Sequence, residues 1–131
     1  MIYLDTSAMV KLVVREAESA DLAGWLAANQ DQQLVTSTVG RIELVRAASR
    51  LSGSDVIRAR SFLTSVGLVA LSRGVAELAE TIGDPALRTL DALHLASAYV
   101  LQPDLLALCA YDHRLTDAAV SVGMPVSSPG R

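Results

Sequence analysis

Four acidic residues, Asp5, Glu43, Asp91 and Asp112, stand where alternating strands and helices would bring side chains to one edge of a sheet. Asp5 directly follows the apolar run Met1-Ile-Tyr-Leu, with the hydroxyls of Thr6 and Ser7 beside it, and Asp112 repeats that placement after Leu105–Tyr111. Asp91 lies near the start of the almost wholly apolar segment Thr89–Leu101, and Glu43 lies one turn into the segment that begins at Thr38. Each has an ordinary structural explanation taken singly. Asp5 and Asp112 suit helix N-caps, Asp91 suits the positive end of a helix dipole, and Glu43 has Arg46 and Arg50 at i+3 and i+7 as ion-pair partners. Together they mean more, because converging carboxylates repel unless a cation joins them. Hard divalent ions such as Mg²⁺ or Mn²⁺ take oxygen ligands, water and phosphate oxygens. Such a cluster suits phosphodiester hydrolysis, with Asp5, Asp91 and Asp112 holding metal and Glu43 reaching it through water or assisting proton transfer. One ion and two remain equally open.

The elements that must position these acids follow from periodicity and punctuation. A strand over residues 1–4 leads through the capping residues Asp5-Thr6-Ser7 into a helix from Ala8. A helix over about residues 17–28, a polar loop, a strand at Leu34-Val-Thr-Ser and a helix from Thr38 to Arg50 come next. Ser52-Gly-Ser-Asp reads as a stop and a new cap. A strand at residues 66–71, a helix over 72–82 ended by Gly83-Asp-Pro, a buried helix over 89–101 stopped at Gln102-Pro103, and a strand over 105–111 complete most of the pattern. A helix from Asp112 to Val122 and a short return strand after Gly123 finish it. Apolar strands alternating with helices predict an α/β class: one domain over residues 1–131, with a parallel sheet of four to five strands covered on both faces. Reactive groups in such sheets collect at the carboxyl edge.

The composition agrees with a globular chain, at 51% hydrophobic and 19% charged residues with positive mean hydropathy. No apolar run approaches the ~20 residues of a membrane-spanning helix, and the first residues lack the marks of a signal peptide, so a cytoplasmic location is expected. Cys109, the only cysteine, sits in an apolar run and excludes both an internal disulfide and a multi-cysteine metal site. A net charge of −3 is unfavourable for meeting nucleic acid. Its distribution offsets this, since Arg41, Arg46, Arg50, Arg58 and Arg60 share a stretch holding only Glu43 and Asp55. Arg41, Arg46 and Arg50 are candidates for contacts with RNA phosphates or with a partner protein.

Four segments, Tyr3-Leu-Asp-Thr-Ser-Ala, Arg41-Ile-Glu-Leu, Leu90-Asp-Ala-Leu-His-Leu-Ala-Ser-Ala and Tyr111-Asp-His-Arg-Leu, resemble in order and spacing the PIN-domain ribonucleases of the VapC toxin type. The resemblance covers nearly the whole chain. It implies a three-layer α/β/α fold and Mg²⁺- or Mn²⁺-dependent endonucleolytic cleavage of RNA, possible targets including tRNA, to inhibit translation. It places the family's acids at Asp5, Glu43, Asp91 and Asp112, with Thr6 and Ser7 at the small hydroxyl positions. A homodimer and a cognate VapB-like antitoxin, whose tail wraps the toxin and brings a basic side chain near the acids, are implied as well. One departure concerns the fourth acid, which in the family more often has Thr shortly before it; here Ala110-Tyr111 precede Asp112, and Asp117 follows as a conceivable auxiliary ligand.

Two other functions fit parts of the pattern. An aspartate-based phosphotransfer enzyme needs a well-placed lysine, and the only lysine is Lys11. A non-catalytic binding module would use the acids only as caps and ion pairs. His94 reads first as a histidine satisfied within the helix layer and second as an orienting partner for Asp91. His113 reads as a cap or solvent-facing residue, and Trp25 and Tyr99 as core or dimer contacts.

Overall fold

Alternation of side chains along the first strand divides the molecule into its layers. In β1 (Ile2–Leu4), Ile2 and Leu4 point into one apolar cluster and Tyr3 into another, all three fully buried. The computed structural model describes residues 1–131. After β1 come α1 (Thr6–Val13), α2 (Ser19–Ala28), β2 (Leu34–Ser37), α3 (Thr38–Ser49), α4 (Gly53–Leu63), β3 (Gly67–Val69) and α5 (Arg73–Ala79). The chain continues through α6 (Thr89–Tyr99), β4 (Ala107–Cys109), α7 (His113–Ser121) and β5 (Val126–Ser127).

All five strands are parallel, in the order β3-β2-β1-β4-β5. The cluster around Ile2 and Leu4 is built with Met9, Val13, Leu22, Leu44 and Leu63, so α1 to α4 cover that face. The cluster around Tyr3 draws on Leu95, Ala98, Leu115 and Ala119, which places α6 and α7 on the opposite face. The result is a three-layer α/β/α sandwich. Each fully buried Leu or Ile contributes about 1.5–3 kcal/mol over its exposed state.

Five helices begin at a side chain that accepts a backbone N–H: Asp5, Ser37, Ser52, Ser72 and Asp112. Sequence and structure agree at Asp5, at the Ser52 turn and at Asp112, because a cap is a local event; Ser37 and Ser72, read as a strand end and a helix residue, prove to be caps as well. Sequence and structure part where strand length is set by a neighbour. The fourth strand is ladder-paired only at Ala107–Cys109, opposite Ile2–Leu4, because β1 offers three residues to pair with. Coverage of every strand on both faces also fails at the edge, where Leu68 of β3 is half exposed. The helix expected to run to Ile82 stops at Ala79, before Gly83 turns the chain at φ +74°.

The order of the strands creates the site. From central β1 the chain moves outward to β2 and β3, then returns to the other side of β1 as β4. The carboxyl ends of β1 and β4 therefore open onto one crevice. No helix is long and apolar enough to cross a membrane.

Candidate active site

Asp5 leaves the end of β1, its backbone N–H donating to the Cys109 carbonyl of β4 at 3.1 Å. Its Oδ1 accepts the Ala8 N–H at 2.9 Å, capping α1, and the Ser7 hydroxyl lies 2.7 and 2.9 Å from its two oxygens. Ser7 in turn accepts the backbone N–H of Tyr111 at 2.9 Å, which ties this pair to the segment that delivers Asp112. Burial pushes the Asp5 carboxyl up to about 6, against the lowering effect of the Ala8 and Ser7 hydrogen bonds. Asp5 is thus an anion held in a place where its charge is under-compensated.

Asp112 caps α7 by accepting the Arg114 N–H at 2.9 Å, and Asp91 sits in the first turn of α6, only 9% exposed. Capping and chemistry are compatible uses of one carboxylate, since a cap bond engages one lone pair and leaves others free. Glu43 projects from α3 and accepts hydrogen bonds from the Thr6 hydroxyl at 2.7 Å and from Nε2–H of His94 at 2.6 Å. The bond from His94 holds the Glu43 carboxyl below its ordinary range. The ion pair expected between Glu43 and Arg46 or Arg50 is not formed, because the carboxylate turns inward to the histidine. Asp5, Glu43, Asp91 and Asp112, with Thr6 and Ser7, line a single cleft of about 580 Å³.

Two more residues line this cleft, His94, whose partner differs from the one the sequence suggested, and Arg88, which the sequence did not single out. His94 is buried, as expected of a packed histidine, but its ring serves Glu43 rather than Asp91. Its Nδ1 lies 2.8 Å from the Tyr3 hydroxyl, whose pKa burial raises, so the phenol stays protonated. A carboxylate only accepts, so Nε2 carries a proton, and in the neutral ring Nδ1 accepts from Tyr3. The spacing of His94 three residues after Asp91 on an apolar helix was the available signal. The second residue is Arg88, at the N-cap position of α6, whose Nε lies 3.3 Å from Asp91 and whose terminal nitrogen lies 3.7 Å from Asp112. Its position three residues before Asp91 was visible, but not the reach to Asp112.

Other candidates fall elsewhere. Asp117 is exposed on α7 and lines a neighbouring cleft with Arg114, so it is not brought to the four acids. Arg50 lines the acidic cleft, Arg46 joins it along an adjoining groove with Ile42 and Leu90, and Arg41 lines neither. Lys11 pairs with Glu18 at 2.8 Å and stacks over Tyr111 at 4.7 Å, away from the acids, which removes the lysine a phosphoaspartate site needs. His113 is exposed at the start of α7, Trp25 packs against the core, and Tyr99 is partly exposed. Burial pushes the Cys109 thiol up to about 12, so it is inert.

The donor set fits a hard divalent cation in kind: carboxylate and hydroxyl oxygens around a buried, under-compensated Asp5. No three of the acids close into a ready-made protein cage. An ion held here would keep several waters and share its remaining positions with substrate phosphate.

The sequence and the fold match one class of protein. The PIN domain profile matches residues 2–120, and the chain belongs to the PIN domain family. Within it, the chain is similar to the ribonuclease VapC47 of Mycobacterium tuberculosis, at 44% identity over 99% of this chain and 98% of that protein. Its fold is similar to that of M. tuberculosis VapC20, a sarcin–ricin loop cleaving toxin, with a TM-score of 0.71 and 18% identity over 98% and 100% of the two chains. It is equally similar to a toxin–antitoxin complex from Klebsiella pneumoniae, with a TM-score of 0.72 and 19% identity over 98% of each chain.

Proposed function

We propose that this chain is a Mg²⁺- or Mn²⁺-dependent endoribonuclease and the toxin of a toxin–antitoxin pair, cutting RNA to inhibit translation. The observation that carries this reading is the convergence of Asp5, Glu43, Asp91 and Asp112 on one cleft at the carboxyl edge of a PIN-family sheet. The full-length similarity to a VapC ribonuclease supports RNA as the substrate, and tRNA is the first candidate to test.

Asp5, Asp91 and Asp112 would hold the ion, with Glu43 reaching it through water. A bound divalent ion supplies Lewis acidity toward the phosphate and charge neutralisation for the leaving oxygen. The chain's own residues do the rest. Ser7 and the Ala8 N–H fix the orientation of Asp5, and its burial favours exchange of a proton for a cation. Glu43, kept anionic and aimed by His94 and Thr6, accepts a proton from the attacking water. Arg50 at the cleft, with Arg46 in the adjoining groove, supplies positive charge for the RNA backbone.

The same reading includes a VapB-like antitoxin as partner, supported by the similarity to a toxin–antitoxin complex; it also includes a homodimer and a cytoplasmic location. The test is cleavage of end-labelled total RNA and tRNA by antitoxin-free protein with Mg²⁺ or Mn²⁺, beside EDTA and Asp91→Asn controls. Discrete products absent from both controls establish the nuclease. No products from folded, metal-binding protein would leave a docking module instead.

A further inference from the structure

Arg88 is the one basic side chain whose guanidinium lies against the acids, and the manner of its attachment is unusual. It occupies the N-cap position of α6, where a short polar side chain normally accepts a backbone N–H, yet it makes no capping bond. It turns back over its own helix start to Asp91 at 3.3 Å and reaches across to Asp112 on α7 at 3.7 Å. Both distances are long for charge-assisted hydrogen bonds, which settle near 2.7–2.9 Å. No other partner holds the side chain, and it is 62% exposed while that of Asp91 is 12% exposed. It also forms part of the wall shared by the acidic cleft and the neighbouring cleft, which Arg114 lines together with Asp84 and Asp117. A loosely held cation therefore spans two carboxylates that the proposed reaction needs for metal, with open space on its other side.

We infer that Arg88 is an exchangeable counter-ion that becomes a phosphate ligand. Without metal it neutralises Asp91 and Asp112. When a divalent ion takes those carboxylates, the guanidinium is released toward the second cleft, where it binds a backbone phosphate of the RNA next to the scissile one. A planar guanidinium suits both partners, because it pairs with carboxylate and phosphate oxygens in the same forked geometry. The exchange needs no movement of the backbone, since only an exposed side chain changes partners. The inference rests on the metal-dependent nuclease reading, and it gives Arg88 opposite effects on two measurable quantities. As a competitor it weakens metal binding by the free protein; as a phosphate ligand it strengthens use of RNA.

The experiment titrates MnCl₂ into metal-free wild type, Arg88→Gln and Arg88→Lys by calorimetry, then measures kcat and KM on a labelled RNA at saturating Mn²⁺. Arg88→Gln is expected to bind Mn²⁺ about three- to tenfold more tightly, and to lose about tenfold or more in kcat/KM, from removal of a charged partner in each case. Arg88→Lys should stay near wild type for Mn²⁺ and recover only part of the RNA loss, because a point charge cannot fork. If Arg88→Gln binds Mn²⁺ no better than wild type, Arg88 supports the acids rather than competing for them and the exchange is wrong. Unchanged kcat/KM in Arg88→Gln overturns the phosphate role. Wild type that binds no Mn²⁺, or cuts no RNA, removes the nuclease reading itself and this inference with it.

Discussion

His94 of α6 donates from Nε2 to Oε1 of Glu43 on α3 across 2.6 Å, and this bond joins two helices that come from different halves of the chain. The Tyr3 hydroxyl, 2.8 Å from the other ring nitrogen, anchors the imidazole to the central strand, and the Thr6 hydroxyl donates to the same carboxylate oxygen. Glu43 is thus aimed by three elements rather than by its own helix.

Removing that aim should cost rate as well as stability. His94→Ala is expected to lower kcat about 10- to 100-fold, the range seen when an orienting partner of a ligating carboxylate is lost. Tyr3→Phe keeps the ring in place and removes one hydrogen bond, so about 1 kcal/mol of stability and a smaller rate effect are expected. Single-turnover cleavage and urea unfolding of both variants check this. Equal rates in wild type and His94→Ala would make the histidine a packing residue only.

Asp5 makes the metal-free protein sensitive to pH in a defined direction. Its carboxyl titrates near 6 in the folded state and near 3.9 unfolded. Between these values the native state keeps a proton that the unfolded chain has released, so stability falls as pH rises from about 4 to 6 and then levels. The loss attributable to this group is about 3 kcal/mol. Asp5→Asn, which can still accept the Ala8 N–H, should match wild type at pH 4 and exceed it by about 2–3 kcal/mol at pH 7 in EDTA. Urea denaturation at the two pH values decides it, and parallel profiles for the two proteins would refute the buried-anion reading.

Asp5, Asp91 and Asp112 were legible in the sequence because each abuts a strand end or lies in the first turn of a helix, and those boundaries are written locally in caps such as Asp5, Ser37 and Asp112, whereas Glu43, a turn into α3, had no such mark. Their apparent conflict with capping dissolves in the structure, where Asp5 caps and faces the cleft at once. What local pattern cannot carry is partnership across elements. Glu43 had arginines at helical spacing and bonds instead to a residue 51 positions away. Arg88 reaches from one helix start to the next, and nothing in the spacing of residues 88 and 112 announces it. Strand lengths were missed for the same reason, since β4 is as long as β1 allows.

Gly40 marks how tightly this arrangement is packed. A Cβ built there would lie 2.3 Å from the Thr36 hydroxyl, which donates to the Leu4 carbonyl at 2.7 Å, and 3.3 Å from the His94 ring. Alanine would favour the helix by about 0.5–1 kcal/mol. Overpacking a buried contact costs about 1–3 kcal/mol, so Gly40→Ala should be net destabilising. Displacement of His94 should lower the cleavage rate at the same time. A variant more stable than wild type, by the midpoint of urea unfolding, would show that α3 has room to shift.

Metal dependence should be visible without any RNA. Asp91 is buried, and Arg88 is its only side-chain partner in the structure, so Asp91→Asn should leave the fold and the metal-free melting temperature nearly unchanged. Binding to the native state alone stabilises by RT ln(1 + [L]/Kd), about 2.7 kcal/mol when Mn²⁺ is present at a hundred times its Kd. For a chain of this size that corresponds to a rise of roughly 5–10 °C in Tm. Wild type should show this rise with MnCl₂ and lose it on addition of EDTA, while Asp91→Asn should show little or none. An equal rise in both proteins would place the bound ion away from Asp91, and no rise in either would argue that these carboxylates serve as caps and ion pairs alone.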